Sequence, residues 1–279
     1  MVRHSASCYI RTNKSVHTLG GDFLEKVLYK REQGVSFITF NRPSHYNALD
    51  VESLEKLLHI IKEVEKNEDK IVVVSGEGKV FSAGGDVTMM GNCHDKKLFN
   101  KLMDMINEIT LKLYMLPKIV IASVQGSAVG LGLSIALNSD FIVAHKEAKL
   151  GMLFAGIGLI PDGGGHFFLQ ERLGTHHAKQ FIWGLEQIHG EQASKLGLVD
   201  IVSEGDVNED TMQLIKKLQF SPLKAILKSK MIYHEQQRDD LIDYLYSEKS
   251  AQLEMSQTKD HAEGVKAFLE KRKPQFEGK

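Results

Sequence analysis

Gly156-Ile157-Gly158-Leu159-Ile160-Pro161-Asp162-Gly163-Gly164-Gly165 sets one carboxylate between an apolar lead-in and three glycines. The run His166-Phe167-Phe168-Leu169 behind it reads as the body of a helix. Pro161 and Asp162 suit a helix entry, because proline has no N–H to leave unpaired and aspartate can cap. The glycines let another backbone or a ligand come close. A lone acid among apolar neighbours is also what a general base requires, since desolvation raises its pKa toward neutrality. Taken alone, the segment supports either reading, an N-cap or a base.

Upstream, Gln125 to Leu133 is small and glycine-rich and opens a short helix that runs to Asn138. Strands are expected on either side, at Ile119–Ser123 and Asp140–Ala144. A helix over Lys96–Leu116 turns Phe99, Leu102, Met103, Ile106, Ile109 and Leu113 inward, and Pro117 ends it. Ile71-Val72-Val73-Val74 reads as a strand buried on both faces. Asp50 can cap a helix with Leu54, Leu57, Leu58, Ile61 and Val64 at helical spacing. Phe23–Tyr29 and Val35–Phe40 form a hairpin around Gly34, before Asn41-Arg42-Pro43 breaks the pattern. Strand, small-residue turn and helix recur without an exact period, which predicts a spiral of repeated ββα units.

Downstream of Thr175 the character is mostly helical, with Leu198–Val202 as a strand. Pro222 starts a helix containing Leu223, Ile226, Leu227 and Met231. Two amphipathic helices follow, near Asp239–Met255 and Asp260–Lys271. A helical tail of this kind packs on a neighbouring subunit, so an oligomer is expected. The chain thus divides into a flexible tail (1–22), a spiral core (23–205) and a helical oligomerisation region (206–279).

Composition narrows the function. The 279 residues are 42% apolar and 25% charged, enough for a sizeable core. A net charge of −1 gives no reason to expect nucleic acid or an anionic membrane as partner. No run reaches the length of a transmembrane helix. Cys8 and Cys93 lie far apart with no CxxC neighbour, so neither a disulfide framework nor a structural zinc site is expected. Residues 1–21 hold Arg3, Arg11 and Lys14, no acid and no apolar h-region, so a secretory signal is not expected. An extended start, a flexible tail and an organellar transit peptide all fit that composition. The expected location is the cytoplasm, or an organellar matrix if the segment is a transit peptide.

Five pieces in order resemble the crotonase (enoyl-CoA hydratase/isomerase) superfamily. They are Asn41-Arg42-Pro43 with Asn47-Ala48-Leu49; Phe81 to Asp86; the segment around Gly130-Leu131-Gly132; Gly158 to Gly165; and Ala193 with Leu196-Gly197-Leu198-Val199. The resemblance implies an α/β fold, a crotonase-like spiral of ββα turns with a helical C-terminal trimerisation region, assembled as a trimer or a dimer of trimers. It implies acyl-CoA thioester substrates, with no cofactor beyond the CoA they carry. It implies that the backbone N–H groups of Gly85 and Leu131 hold the thioester oxygen as it becomes an enolate. Leu131 stands where the family usually has glycine, so its side chain must point away from the ligand. The acyl-CoA is expected against Ala48 and Leu49, against Ala83, Gly84, Asp86 and Val87, and against Gly130, Phe154, Gly158 and Pro161. Lys271, Arg272 and Lys273 are expected at the CoA phosphates.

The departures from the family bear on the reaction. Its hydratases carry two glutamates, at positions that are Ser134 and Phe154 here. Adding water takes a base and an acid, which these two side chains cannot supply unaided. Asp162 stands where double-bond isomerases of the family place their carboxylate. The resemblance therefore favours an enoyl-CoA isomerase with Asp162 as its single base. A hydratase or hydrolase with a rearranged site is the alternative, and a non-catalytic acyl-CoA-binding protein is the alternative of another class.

Overall fold

The computed structural model describes residues 25–87 and 96–279. The expectations for the 1–22 tail and for Phe23 lie outside the described residues.

Two strands open the chain, β1 (Val27–Glu32) and β2 (Val35–Phe40), paired antiparallel across the Gln33-Gly34 turn. Helix α1 (Val51–Lys66) follows, then β3 (Ile71–Gly76), α2 (Lys96–Tyr114), β4 (Ile119–Val124) and the short β5 (Ala128–Val129). Next come α3 (Leu131–Leu137), β6 (Phe141–His145) and β7 (Lys149–Gly151). The last elements are α4 (Gly165–Gly184), β8 (Ile188–His189), α5 (Gly190–Leu196), β9 (Ile201–Ser203), α6 (Val207–Gln219), α7 (Leu223–Met255) and α8 (Lys259–Leu269).

The strands make two layers. A six-stranded sheet runs β1-β2-β3-β4-β6-β9, parallel after the opening hairpin, and a three-stranded sheet runs β5-β7-β8. Parallel bridges Leu49–Gly85 and Ser82–Ala128 add earlier segments to the second layer. Each turn of the chain thus gives a long strand, a short strand or bridge, and a helix, as the ββα reading expects.

The side-chain period of two divides the core between the faces of the large sheet. Val72, Val74, Val120 and Ala122 enter the main core beneath α1, α2 and α3. Ile71, Val73, Ile119 and Ile121 enter a smaller core covered by α6 and the first turns of α7. With both faces covered, the central strands are near-continuously apolar. Asp50 caps α1 as expected, accepting from the Ser53 N–H. Ile60 joins the inward residues, and Leu58 packs half-buried against the same core.

Three expectations are corrected. Asp162 does not cap α4: the helix begins at Gly165, and its N-cap residue is Gly164, in the left-handed region. The helix expected from Pro222 and the one expected near Asp239–Met255 are a single helix of 33 residues, because no proline or glycine interrupts residues 223–255, while the third stands apart as α8. The strand expected at Leu198–Val202 is shortened to Ile201–Ser203. Gly197 closes α5 in the left-handed region, and the Leu198 N–H turns back to the Ala193 carbonyl instead of joining the ladder.

The last helices pack on their own chain. Leu241 and Leu245 of α7 are buried in the main core. Lys230 ties α7 to the sheet, its Nζ 2.7 Å from Asp140 Oδ2 and 2.7 Å from the Lys118 carbonyl. No described helix is long and apolar enough to cross a membrane.

Candidate active site

The spiral brings two backbone segments side by side. At the Leu49–Gly85 bridge the hydrogen bonds run from Leu49 N–H to the Gly84 carbonyl and from Asp86 N–H to the Leu49 carbonyl. In a parallel bridge this turns the Gly85 N–H to the other side. Gly84, at φ +92°, lies so close to the next segment that a Cβ there would sit 2.7 Å from the Val129 carbonyl and 3.3 Å from the Leu131 nitrogen. Leu131 is the first residue of α3, where the N–H has no intrahelical acceptor and the helix dipole favours an anion. Neither N–H has an acceptor among the described residues. The Leu131 side chain lies against Gly163, where a Cβ would meet Leu131 Cδ1 at 2.6 Å. A glycine at 163 makes room for a leucine at 131.

Gly85, Leu131 and Asp162 line one pocket. Its walls are apolar: Leu49 and Leu54 from around the start of α1, Phe99, Leu102, Met103 and Ile106 from α2, and Phe154 and Leu159. Asp162 is 5% exposed. Its Oδ2 accepts from Gln252 Nε2 at 3.1 Å, and its Oδ1 is buried with no partner. Burial first, and then the nearby Glu248 carboxylate, push its pKa up to about 7, while the Gln252 hydrogen bond pulls the other way. The Ser134 hydroxyl donates to the Asp162 carbonyl at 2.7 Å and holds the backbone in place.

Sequence reasoning missed the polar side chains that organise this carboxylate, because they come from α7 and α8. Glu248, 2% exposed, accepts from the N–H groups of Gly164 (2.8 Å) and His166 (3.0 Å) and from His166 Nδ1 (2.8 Å). It thereby caps α4 from another helix, which explains how Asp162 is left uncommitted. Gln252 grips the loop at two points, donating to Asp162 and accepting from the Ile160 N–H at 3.2 Å. Ser256 and His261 complete the pocket at that end. A signal was present in the sequence. Leu241, Leu245, Glu248, Gln252 and Ser256 share one helical face, and all are buried. An inward stripe that turns from leucine to polar marks a helix that serves a site.

The other expected residues lie around the pocket or apart from it. The Phe154 ring lies 3.6 Å from where a Cβ of Gly130 would be. Pro161 is buried beside Gly165, and Gly158 is pressed against the backbone of His261. Ala48, Ala83, Gly84, Asp86 and Val87 flank the pocket segments without lining it. The Asp86 carboxylate meets Arg42 at 3.1 Å, and Arg42 also donates to the Ala48 carbonyl. Of the basic cluster, Arg272 is held by Glu263 and Glu270, while Lys271 and Lys273 are exposed. Among the described residues no group of three or more His, Cys, Asp or Glu is placed to hold a metal ion.

Residues 30–279 match the Enoyl-CoA hydratase/isomerase family. The chain is 43% identical over 254 residues to YhaR of Bacillus subtilis (strain 168), provisionally named an enoyl-CoA hydratase/isomerase, covering 91% of this chain and 100% of that one. It is 31% identical over 263 residues to a trans-2-decenoyl-[acyl-carrier-protein] isomerase of Streptococcus mutans, covering 92% and 100%. It is also 31% identical over 255 residues to a short-chain-enoyl-CoA hydratase of Clostridium acetobutylicum, covering 90% and 97%. Its structure resembles that of an enoyl-CoA hydratase from Mycobacterium avium subsp. paratuberculosis K-10, with a TM-score of 0.83, 28% identity, and 90% and 98% of the two chains covered.

Proposed function

Because this chain belongs to the enoyl-CoA hydratase/isomerase family, within the crotonase superfamily, we propose that it moves the double bond of an enoyl-CoA thioester with Asp162 as the single base. In this reading the carboxylate takes a proton from C2 of a Δ3-enoyl thioester. The electrons pass to the thioester oxygen, which the Gly85 and Leu131 N–H groups hold as an enolate. The same carboxyl returns the proton to C4, giving the Δ2 isomer with no water consumed and no cofactor beyond CoA.

One observation carries the reading. Asp162 is a desolvated carboxylate with its pKa near 7 and, among the described residues, one unpaired oxygen, in the same pocket as two residues whose N–H groups have no acceptor among those residues. A base with a pKa near the working pH is most effective in proton transfer. Phe154 supports isomerisation over hydration, since it presents an aromatic ring where a second acid would stand. A hydratase reading draws on His261, a second titratable group in the pocket, and relatives of equal identity carry both names.

A panel of Δ3-enoyl, Δ2-enoyl and 3-hydroxyacyl thioesters separates the readings. The expected result is interconversion of Δ3 and Δ2 isomers, lost by about two to four orders of magnitude in Asp162→Asn and much less affected in Ser134→Ala. Hydration of the Δ2 substrate as the main reaction would overturn the isomerase assignment. Turnover of no thioester in the panel would favour the non-catalytic reading.

Assembly as a trimer or dimer of trimers belongs to the same proposal. Ile232, Tyr233 and Tyr246 of α7 and Phe268 and Leu269 of α8 are exposed apolar side chains on the last two helices. Sedimentation at micromolar concentration should give a trimer or larger, and a monomer would refute the proposed assembly.

A further inference from the structure

A second buried polar atom without a partner among the described residues belongs to a side chain that lines the pocket. His261 is 4% exposed and lines the cavity. Its Nδ1 lies 2.8 Å from the Ile157 carbonyl. A carbonyl only accepts, so Nδ1 carries the proton and the neutral ring presents a bare lone pair at Nε2. That Nε2 is buried and has no partner among the described residues. Burial also pushes the imidazole pKa down, which keeps the ring neutral.

The surroundings fix this ring in place. Thr258 caps α8, its Oγ1 accepting from the His261 N–H. Two glycines bring α8 against the turn Phe154–Ile157. A Cβ on Gly158 would fall 2.8 Å from the His261 nitrogen, and one on Gly264 would fall 2.6 Å from Ile157 Cα. The neighbouring Ser256 hydroxyl is already used: it donates to the Leu253 carbonyl and accepts from Gln257 Nε2. No hydrogen bond joins His261 Nε2 to Asp162 Oδ1, so the two unpaired atoms do not satisfy each other.

An acceptor buried in an apolar pocket calls for a donor on whatever fills that pocket. The donor must sit on a mainly hydrocarbon group, because the walls are Leu, Phe, Met and Ile. An ammonium would be costly to desolvate there, whereas a hydroxyl adds one neutral donor. From this arrangement we infer that His261 Nε2 accepts a hydrogen bond from a hydroxyl on the acyl chain beyond C3, so that acyl thioesters hydroxylated along the chain are the preferred occupants. The inference rests on the acyl-thioester reading above and names the substrate class within it.

Binding to thioesters that cannot isomerise tests recognition apart from reaction. The probes are saturated octanoyl-CoA and a series of derivatives with a hydroxyl at each successive carbon from the fourth outward, beyond the C3 position that hydration itself would fill, titrated calorimetrically into the full-length protein. A site built to bond a hydroxyl discriminates strongly against the analogue that lacks it. One or two positions in the series should bind roughly tenfold or more tightly than the unsubstituted chain. In His261→Phe that ratio should fall to about one, and in His261→Gln, which keeps an acceptor, part of it should remain. If His261→Phe fails to fold, His261→Gln and Asp162→Asn decide between the two acceptors: the preference must weaken in the first and persist in the second. No preference at any position would mean that water satisfies Nε2 and would overturn the inference, as would a preference that survives His261→Phe. Failure of the panel on Δ3-enoyl thioesters, with the preference intact, would sink the isomerase reading and leave the recognition standing.

Discussion

Asp162→Asn should make the protein more stable at neutral pH while removing its activity. The wild-type carboxyl has its pKa raised by burial from 3.8 to about 7. A raised carboxyl pKa means that the folded state holds the proton more tightly than the unfolded chain does. Stability from this group is therefore fully present below about pH 4 and is lost as pH rises through about 7. Above that range the fold bears a burial cost on the order of 4 kcal/mol, at about 1.4 kcal/mol per pKa unit. Asparagine carries no charge and escapes the cost. Its carbonyl can still accept from Gln252, but its amide nitrogen then faces the pocket where Oδ1 has no partner. That buried donor costs about 1–3 kcal/mol, so the net gain near pH 8 is roughly 1–3 kcal/mol. At about 2–4 °C per kcal/mol the melting temperature rises by several degrees. The assay is urea or thermal unfolding of both proteins between about pH 5 and pH 8. Distant titrating groups are common to both and cancel in the difference, and Glu248, the neighbour that faces Asp162, enters the gap together with it. The gap should widen in favour of the variant as pH rises. A gap that stays flat across the range would refute the argument, because it would mean that the folded protein does not perturb this carboxyl.

Glu248→Gln should lower stability by about 1–3 kcal/mol, since one amide cannot accept at both oxygen positions now used by Gly164 and His166. The same change should move the acid limb of the kcat profile to lower pH, because it removes the Glu248 charge facing Asp162; an unchanged or alkaline-shifted limb would count against that coupling. Gly264→Ala drives a Cβ to within 2.9 Å of the Ile157 carbonyl oxygen and should unseat α8, costing about 1–3 kcal/mol and raising KM; an unaltered melting curve and KM would show that α8 is not seated as described. Neutralising Lys271 and Lys273 together should weaken acyl-CoA binding several-fold at low ionic strength, with the difference fading in salt. Equal affinities at low salt would remove those lysines from the CoA phosphates.

What could be read from the sequence was what is local. The Asp50 cap answers to Ser53, three residues away, and the valine run of β3 must be buried on both faces wherever it lies. The Gly84-Gly85 and Gly130-Leu131 segments could be paired through resemblance, since backbone donors depend on chain path more than on side chains. Asp162 was ambiguous because the same proline, acid and glycines serve a helix entry or a base. Glu248, far along the chain, takes the capping task, which removes the helix-entry reading and leaves the base as the proposal. Glu248, Gln252 and His261 were illegible as site residues because helical periodicity marks a buried face without naming its partner. The fusion of two expected helices into α7 has a similar origin: a polar stretch with no breaker leaves the helix intact.

The grip of α7 on the Asp162 loop also orders events in time. Its hydrogen bonds to Ile160, Asp162 and Gly164 span 92, 90 and 84 residues of chain. During synthesis the strands and helices of the spiral leave the ribosome well before Glu248 and Gln252 do. Until then α4 lacks its cap and the loop bearing the carboxylate has no clamp. A nascent or C-terminally clipped chain can accordingly hold most of the apolar core without a finished reaction centre. On the proposed reading, the arrival of α7 is the step that arms the site, and a protease that cuts ahead of Glu248 should lower activity before it melts the sheet.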